Sequence, residues 1–181
     1  MNIKVIRANS LHAETISSIG KLSFRDAFGN LFNDKNTLIE YLDYTYRVDK
    51  IIKSINKENN VFFIAFVENV PVGFAKVKKS SLNEQIESIA QMELQKIYVL
   101  SYYHGSGAGP ALMQAVLELA HEVQPDYLWL DTHTSNTKAI RFYEKNGFIR
   151  AGKNYFTIGA QTFEYYVMCL PVAVEEEACC A

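Results

Sequence analysis

The sequence predicts a single α/β domain over residues 1–172, followed by an acidic tail over residues 173–181 that we expect to be flexible. Three observations support the fold class. β-prone runs alternate with helical patterns, and an extended apolar run over residues 92–100 stops at a glycine-dense turn where a helical pattern begins. The 181 residues are enough for one core of ordinary size. Hydrophobic residues make up 49% of the chain, so packing alone can stabilise the domain.

The first third of the chain predicts one strand followed by helices. Residues 3–6 predict a short strand, and Ser10 is a suitable N-cap for a helix over residues 11–23. Helical spacing continues over residues 34–56. Between these helices, three phenylalanines recur at a spacing of four: Phe24, Phe28 and Phe32. This spacing places them on one helix face, which we expect to pack in the core, with a wall for a substrate cleft as the alternative.

The remainder predicts six strands and two helices, separated by turn signals. The strands include a hairpin, a central strand, a second buried strand and a terminal hairpin. The expected ranges are 61–67 and 72–79 for the first hairpin, 92–100 for the central strand, 110–123 for a helix, 127–132 for the second buried strand, 136–147 for a helix, and 148–158 with 162–170 for the terminal hairpin.

The glycine-dense turn predicts an anion-binding site. Gly105, Gly107 and Gly109 have no Cβ atom, so the backbone can fold tightly with its N–H groups pointing inward. A helix follows directly at Pro110, and the positive end of its dipole faces the turn, where phosphate is the usual ligand. Neither common nucleotide motif fits, because G-x-G-x-x-G would need glycine at position 110 and the G-K-S/T of a P-loop is absent.

Bulk properties restrict the class of protein. The chain carries 18 basic and 20 acidic residues, and this net charge of −2 argues against nucleic acid as the main partner while permitting a cationic substrate. No secretory segment opens the chain, and no apolar run is long enough for a membrane span. The three cysteines, Cys169, Cys179 and Cys180, have no metal-binding spacing. We therefore expect a reduced cytoplasmic protein that uses neither a membrane nor a metal.

Two motifs resemble those of the GNAT acyl-CoA N-acyltransferases. The turn matches the pattern Q/R-x-x-G-x-G/A through Gly107 and Gly109, with His104 where the family has Gln or Arg. Residues 136–148, NTKAIRFYEKNGF, match N-x-x-A-x-x-F/L-Y-x-x-x-G-F at every fixed position. The order of the upstream elements agrees with the same family. The resemblance implies a mixed, mostly antiparallel sheet flanked by helices, in which strands 4 and 5 splay apart.

The resemblance further implies that the splay holds acetyl-CoA. Main-chain groups of Ile97, Tyr98 and Val99 would pair with the pantetheine arm and the acetyl carbonyl. Asn136 would bond the same arm, and Lys145 would meet the phosphate end of the nucleotide unless it is an ordinary solvated lysine. Main-chain amides of the turn would hold the pyrophosphate, and six residues carry them: His104, Gly105, Ser106, Gly107, Ala108 and Gly109.

The chemistry requires a neutral amine to attack the thioester, pass through a tetrahedral oxyanion and expel a thiolate. Since a free alkyl amine has a pKa of about 10, a base or a water relay helps at neutral pH. The candidate bases are Glu93, which period two places on the same face as Ile97, and Asp131 on the neighbouring strand, with a slight preference for Glu93. The resemblance implies that Tyr143 protonates the leaving sulfur and that the Val99 amide stabilises the oxyanion.

The acceptor is less closely specified. The sequence around the second motif resembles bacterial spermidine/spermine N-acetyltransferases, which implies a polyamine. Four residues are candidates to line its entrance: Asp26, Glu40, Tyr41 and Asp43. Protein N-terminal and ribosomal-protein acetyltransferases share both motifs and remain an alternative, as does a non-catalytic CoA-binding regulatory module, because His104 departs from the pattern. Relatives are often dimers, so a homodimer is also an expectation.

Overall fold

A seven-stranded sheet organises the chain in a computed structural model that describes residues 2–172. Helices cover both faces of this sheet. The predicted acidic tail, with Cys179 and Cys180, lies outside the described residues. In chain order the elements are β1 (Ile3–Arg7), α1 (Ala13–Phe28), α2 (Lys35–Thr45), α3 (Val48–Ile55), β2 (Asn60–Val67), β3 (Val70–Lys78), β4 (Gln91–Val99), α4 (Ala108–Val123), β5 (Tyr127–His133), α5 (Thr137–Lys145), β6 (Ile149–Ile158) and β7 (Gln161–Pro171).

The sheet has the order β1-β2-β3-β4-β5-β7-β6, and among these strands β4 and β5 form the parallel pair. Their pairing extends only from Gln91 opposite Tyr127 to Glu93 opposite Trp129, after which the two strands diverge. Each keeps an antiparallel partner on its outer side, β3 for β4 and β7 for β5. The predicted mixed, mostly antiparallel sheet with a splay between strands 4 and 5 is therefore confirmed.

Each face of the sheet is covered by its own hydrophobic cluster. On one side, named the α4 face, α4 packs across β1 to β4 and buries Leu112 and Val116 completely. On the other side, named the α1 face, α1, α2 and α3 pack over β2 to β4 through residues such as Phe24 and Tyr46. Within residues 2–172, no helix combines the length and hydropathy of a membrane span.

The region around α1 differs from the prediction in two places, the N-cap and the position of Phe32. Asn9, and not Ser10, provides the cap, and its side chain begins a short 3-10 turn ahead of α1. A second 3-10 turn takes Phe32 off the end of α1. The rings still cluster, because the Phe24 centroid lies 4.9 Å from that of Phe28 and 6.2 Å from that of Phe32.

A β-bulge in β4 changes which of its side chains share a face. The extra residue is Gln95, because its neighbours Leu94 and Lys96 oppose consecutive residues of β3. Glu93 therefore lies on the α1 face with Lys96, whereas Ile97 packs on the α4 face. The prediction that Glu93 and Ile97 share a face is wrong, since strict period two fails across a bulge.

Candidate active site

A gap opens between β4 and β5 where their pairing ends. β4 continues from Glu93 to Val99, and β5 from Trp129 to His133, without further register pairs between them. Main-chain groups that would otherwise form ladder bonds are therefore free to bind an extended ligand. Both walls of the gap are supported on their outer sides, since β5 pairs with β7 along its whole length and β4 pairs with β3 from Glu93 to Val99 except at the bulge.

Alternation along β4 decides which of its main-chain groups face the gap. The Leu100 amide donates to a carbonyl of β3 at 2.9 Å, and the Tyr98 carbonyl also points to β3, only 2.6 Å from where a Cβ on Gly73 would lie. The N–H and C=O groups of Ile97 and Val99 consequently point into the gap. The expected use of the Tyr98 main chain is contradicted, because its polar groups are turned to the neighbouring strand.

Three free amides line the turn between β4 and α4. Gly105 and Gly107 have φ of 83° and 93°, a left-handed conformation that favours glycine. Gly107 is the N-cap of α4 and has no side chain to occupy the helix terminus. Three of the six amides predicted to hold pyrophosphate already have acceptors within the chain: His104, Ser106 and Ala108. The others make no hydrogen bond within residues 2–172 and form the candidate anion site: Gly105, Gly107 and Gly109.

His104 is tied back to β4. Its Nε2 lies 3.0 Å from the Val99 carbonyl oxygen, so the ring donates this hydrogen bond and carries a proton on Nε2. The residue is otherwise exposed. The histidine that departs from the motif therefore links the turn to the end of β4, and the glycine amides are the groups that remain for an anion.

α5 carries three of the predicted residues, in different surroundings. Asn136 caps the helix, since its Oδ1 accepts from the Ala139 amide at 3.2 Å, and Lys145 is exposed at the last residue of the helix. Tyr143 is 8% exposed, its ring lies 5.9 Å from that of Phe148, and burial raises the pKa of its hydroxyl well above the ordinary value. That hydroxyl has no hydrogen-bond partner in residues 2–172 and is not sealed in the core, so it is free to donate.

Asp131 lies on β5 beside the gap and is partly buried on the α1 face. Burial raises the pKa of its carboxyl to about 6; hydrogen bonding from Asn154 acts against this shift, and the Glu93 charge adds to it. The Asn154 amide donates to both carboxylate oxygens, at 2.9 and 3.2 Å, and its own Oδ1 accepts from Gln85 at 2.8 Å. The carboxylate is thus oriented without a cation partner in residues 2–172, which suits a base that works near neutral pH.

Glu93 occupies the closed end of the β4–β5 pair. It is 8% exposed and lies opposite Trp129. Its Oε2 accepts from the Lys78 ammonium and from the Ser81 hydroxyl, each at 2.7 Å. Glu93 thus lies in the part of the sheet that is still paired, has two partners of its own and is less exposed than Asp131. The identity of the base stays a prediction.

An aromatic recess adjoins Asp131 on the α1 face. The His133 ring lies 6.0 Å from that of Phe28 and 5.3 Å from that of Tyr165, and Phe24 and Phe32 line the same recess. Burial lowers the pKa of His133, which favours the neutral ring at physiological pH. The phenylalanine stripe packs in the core as expected, and it also lines this recess, whereas a substrate cleft along the stripe stays a prediction.

Sequence reasoning missed three side chains on the α1 face: Lys76, Lys96 and Tyr46. Lys76 and Lys96 are cross-strand neighbours on β3 and β4. A signal for Lys76 was present, because residues two apart on a strand point to the same face and Phe74 is apolar. Lys96 could not be placed by counting from Glu93, because the bulge lies between them.

A family model described as the acetyltransferase (GNAT) family matches residues 25–148. This is more than half of the chain. The chain therefore belongs to the GNAT family of acetyltransferases. Its two sequence motifs, the glycine turn and the α5 segment, both lie within or at the edge of the matched region.

The chain is also similar to individual N-acetyltransferases, with different coverage. An uncharacterised N-acetyltransferase from Mycobacterium tuberculosis is 43% identical over 77 residues, 42% of this chain and 49% of the relative, so the match spans about half the length of that protein. An N-alpha-acetyltransferase from Sulfurisphaera tokodaii is 27% identical over 128 residues, 67% of this chain and 75% of the relative. The PaiA N-acetyltransferase from Thermoplasma acidophilum, solved in complex with coenzyme A, shares the fold with a TM-score of 0.73 at 18% identity, covering 94% of this chain and 99% of that chain.

Proposed function

We propose that this chain transfers an acetyl group from acetyl-CoA to a neutral primary amine by direct attack within a ternary complex. The observation that carries the proposal is the gap between β4 and β5, which is followed along the chain by a turn with three free amides. The gap suits an extended arm with amide groups, and the turn suits a pyrophosphate. A solved protein of the same fold binds coenzyme A, which supports this assignment.

The bound acetyl-CoA supplies an activated acetyl group as a thioester. The N–H and C=O groups of Ile97 and the N–H of Val99 face its pantetheine arm along β4, while the Val99 carbonyl already accepts from His104. The Asn136 amide Nδ2 is available to the same arm, since only its Oδ1 is used to cap α5. Lys145 is exposed and can meet the phosphate end of the nucleotide. The pyrophosphate binds the amides of three residues: Gly105, Gly107 and Gly109.

Asp131 is the proposed general base. With a pKa of about 6 its carboxylate is mostly ionised at pH 7, and it is more basic than an ordinary aspartate. It accepts the proton of the attacking amine, directly or through one water. Asn154 keeps both oxygens in a fixed orientation through its two hydrogen bonds. Glu93 acts on Asp131 only through its charge, because it is itself bound to Lys78.

Tyr143 is the proposed general acid, and the Val99 amide the proposed oxyanion donor. The buried phenol keeps its proton at every working pH, because burial raises its pKa well above the ordinary value. It donates that proton to the departing sulfur and regains one from solvent. The Val99 N–H points into the gap and can donate to the developing oxyanion without rearrangement.

Two acceptor classes follow from separate observations. The spermidine/spermine resemblance favours a polyamine, and the N-alpha-acetyltransferase relative favours a polypeptide N terminus. Two of the carboxylates expected to line a polyamine entrance already have partners within the protein. Asp43 pairs with Lys21 at 2.6 Å, and Asp26 accepts from the Ser101 hydroxyl at 2.9 Å. They therefore give a polyamine no particular support.

Turnover of acetyl-CoA tests the proposed function. The protein is incubated with acetyl-CoA and a panel of polyamines, amino acids and short peptides while free thiol is followed. We expect thiol release that depends on an acceptor, with the acetylated product identified by mass spectrometry, and Asp131→Asn as the matched slow variant. Saturable acetyl-CoA binding with no turnover on any acceptor would instead support the non-catalytic module.

A further inference from the structure

The α1 face beside the gap carries two neighbouring cations that form no direct ion pair within residues 2–172. Lys76 on β3 and Lys96 on β4 are direct cross-strand neighbours, and both are partly buried. Lys96 belongs to the stretch of β4 that forms one wall of the gap. Within residues 2–172 neither lysine has a carboxylate inside 4.0 Å, and the nearby Glu93 is bound to Lys78.

Burial opposes the charges of both lysines. It lowers the pKa of each ammonium to about 8; the charge of Lys96 adds to the shift at Lys76, whereas the charge of Glu93 acts against the shift at both residues. Further lysines nearby add positive charge. Aromatic rings lie under the two ammonium groups, with Phe62 at 5.5 Å from Lys76 and Tyr46 at 5.4 Å from Lys96. Such an arrangement is expected to gain from an anion brought by a ligand.

A buried hydroxyl at the same place also lacks a partner. Tyr46 is 1% exposed, and its hydroxyl is fully buried with no hydrogen bond in the described residues. The Tyr98 hydroxyl is close enough to affect the pKa of Tyr46 without forming a bond of proper geometry. Buried polar groups without partners are rare and destabilising. An anionic oxygen here would accept from the Tyr46 hydroxyl and neutralise Lys96 at once.

We propose that the acceptor carries a carboxylate as well as its amine, so that it belongs to the amino acids and not to the polyamines. This inference rests on the proposed function, because it names the acceptor of that reaction. The carboxylate binds between Lys76, Lys96 and the Tyr46 hydroxyl, and the amine is presented to Asp131, which lies on the same face. A charge-assisted contact of this kind is strong, whereas a polyamine would bring more positive charge to a positive surface.

Matched acceptors test the proposal in turnover. Each amino acid is compared with a matched amine that lacks the carboxylate: lysine with cadaverine, ornithine with putrescine, and each amino acid with its amide. Short peptides with an acidic or a neutral second residue are also compared, to separate a free amino acid from a polypeptide N terminus. We expect kcat/KM to be about tenfold or more higher for the partner with the carboxylate. Equal values for all pairs, or a preference for the polyamine, would overturn the inference and leave the proposed function standing.

Variants then assign the preference to the lysine pair. Lys96→Gln and Lys76→Gln should bring the ratio between matched acceptors to about one by raising KM for the amino acid, with kcat/KM for the amine nearly unchanged. Lys96→Arg keeps the charge and should keep the preference. Lys4→Gln removes an exposed lysine of β1 and is the matched control. A preference that survives in Lys96→Gln and Lys76→Gln would contradict the assignment.

Binding of reaction products gives an answer that does not need turnover. In the presence of coenzyme A, N-acetyl amino acids should bind about tenfold or more tightly than their amides by calorimetry, and Lys96→Gln should lose this difference. Selective binding without turnover would preserve the anion site and reject the proposed function. Equal binding of acids and amides in the wild-type protein would reject the anion site.

Discussion

The closed and open ends of the β4–β5 pair contrast in how their polar groups are satisfied. At the closed end, Glu93 has both an ammonium and a hydroxyl partner at 2.7 Å, and the Trp129 indole donates to a carbonyl at 2.8 Å. At the open end, Asp131 has no cation partner in residues 2–172 and accepts hydrogen bonds only from the Asn154 amide. The same two strands therefore carry a carboxylate paired with a cation at one end and a carboxylate without one at the other.

This contrast separates two carboxylates that look equivalent in the sequence. Glu93 Oε2 already accepts hydrogen bonds from the Lys78 ammonium and the Ser81 hydroxyl, which leaves it less able to contact a substrate amine. A partly buried carboxylate held only by an amide remains basic enough to exchange a proton near pH 6. We expect substitutions at the open end to change catalysis and those at the closed end to change stability.

The largest effect is expected from Asp131→Asn. Loss of a general base lowers kcat/KM by about 10² to 10⁴-fold at pH 7. In the wild-type protein, kcat/KM should rise with pH through an apparent pKa of about 6 as Asp131 ionises, and the variant should lack this limb. A pH profile of initial rates with saturating acetyl-CoA measures it. An unchanged limb in the variant would assign the titration to another group.

Asp131→Asn should also change how the stability of the protein depends on pH. The pKa of Asp131 is raised from 3.8 to about 6 on folding, so the folded state holds its proton more tightly than the unfolded state. Its contribution to stability is therefore present at low pH and is lost as pH rises between about 4 and 6. Asp131→Asn should remove that fall, which thermal unfolding at several pH values can detect.

Tyr143→Phe should have the second largest effect. It removes the proton donor and is expected to lower kcat by about 10 to 10²-fold, while the KM for acetyl-CoA changes little. The Tm should stay close to that of the wild-type protein, because the hydroxyl has no partner in residues 2–172. Steady-state kinetics and thermal unfolding measure both. A raised KM with unchanged kcat would show that the hydroxyl binds and does not transfer a proton.

Gly107→Ala tests the anion site. Gly107 has φ of 93°, and a Cβ there would lie 2.8 Å from Ile3 Cδ1, so alanine is expected to destabilise the protein by about 1–2 kcal/mol. The same distortion displaces the turn amides and should raise the KM for acetyl-CoA about tenfold. Gly29→Ala is the matched control, because its Cβ would meet its nearest atoms at 3.5 Å. Equal effects of the two substitutions would contradict the role of the turn.

Glu93→Gln should have the smallest effect on catalysis. It removes the charge that pairs with Lys78 in a mostly buried site, and is expected to lower the free energy of unfolding by about 1–3 kcal/mol. Activity per folded molecule should remain within about threefold of the wild-type value, because Asp131 is the proposed base. Urea unfolding and initial rates measure the two quantities. A loss of rate as large as that of Asp131→Asn would return the base to Glu93.

Local patterns predicted the elements better than their mutual arrangement. The apolar run of β4, the glycine turn and the α5 motif all lie where the sequence placed them, because each has a signal within about ten residues. The bulge at Gln95 has no such signal, since it arises from the pairing of β4 with β3. That single residue moved Glu93 to the other face from Ile97.

The sequence predicts those site residues whose position depends on backbone conformation or on a sequence motif. Gly107 requires a left-handed conformation, and Tyr143 stands at a fixed position of the α5 motif. The charge state of the carboxylates could not be predicted, because it depends on distant residues such as Asn154, which contacts Asp131 across 23 positions of sequence. The pairing of Lys76 with Lys96 could not be predicted either, because the bulge in β4 sets their register.

The short pairing of β4 with β5 divides the sheet into two half-sheets, β1 to β4 and β5 to β7, which are joined by the three register pairs at the closed end. A molecule lying in the gap would act as an additional strand and couple the halves. Binding should therefore slow amide hydrogen exchange well beyond the contact residues, in strands such as β7 that never touch the ligand. The cosubstrate would then be a mechanical part of the sheet during each catalytic cycle.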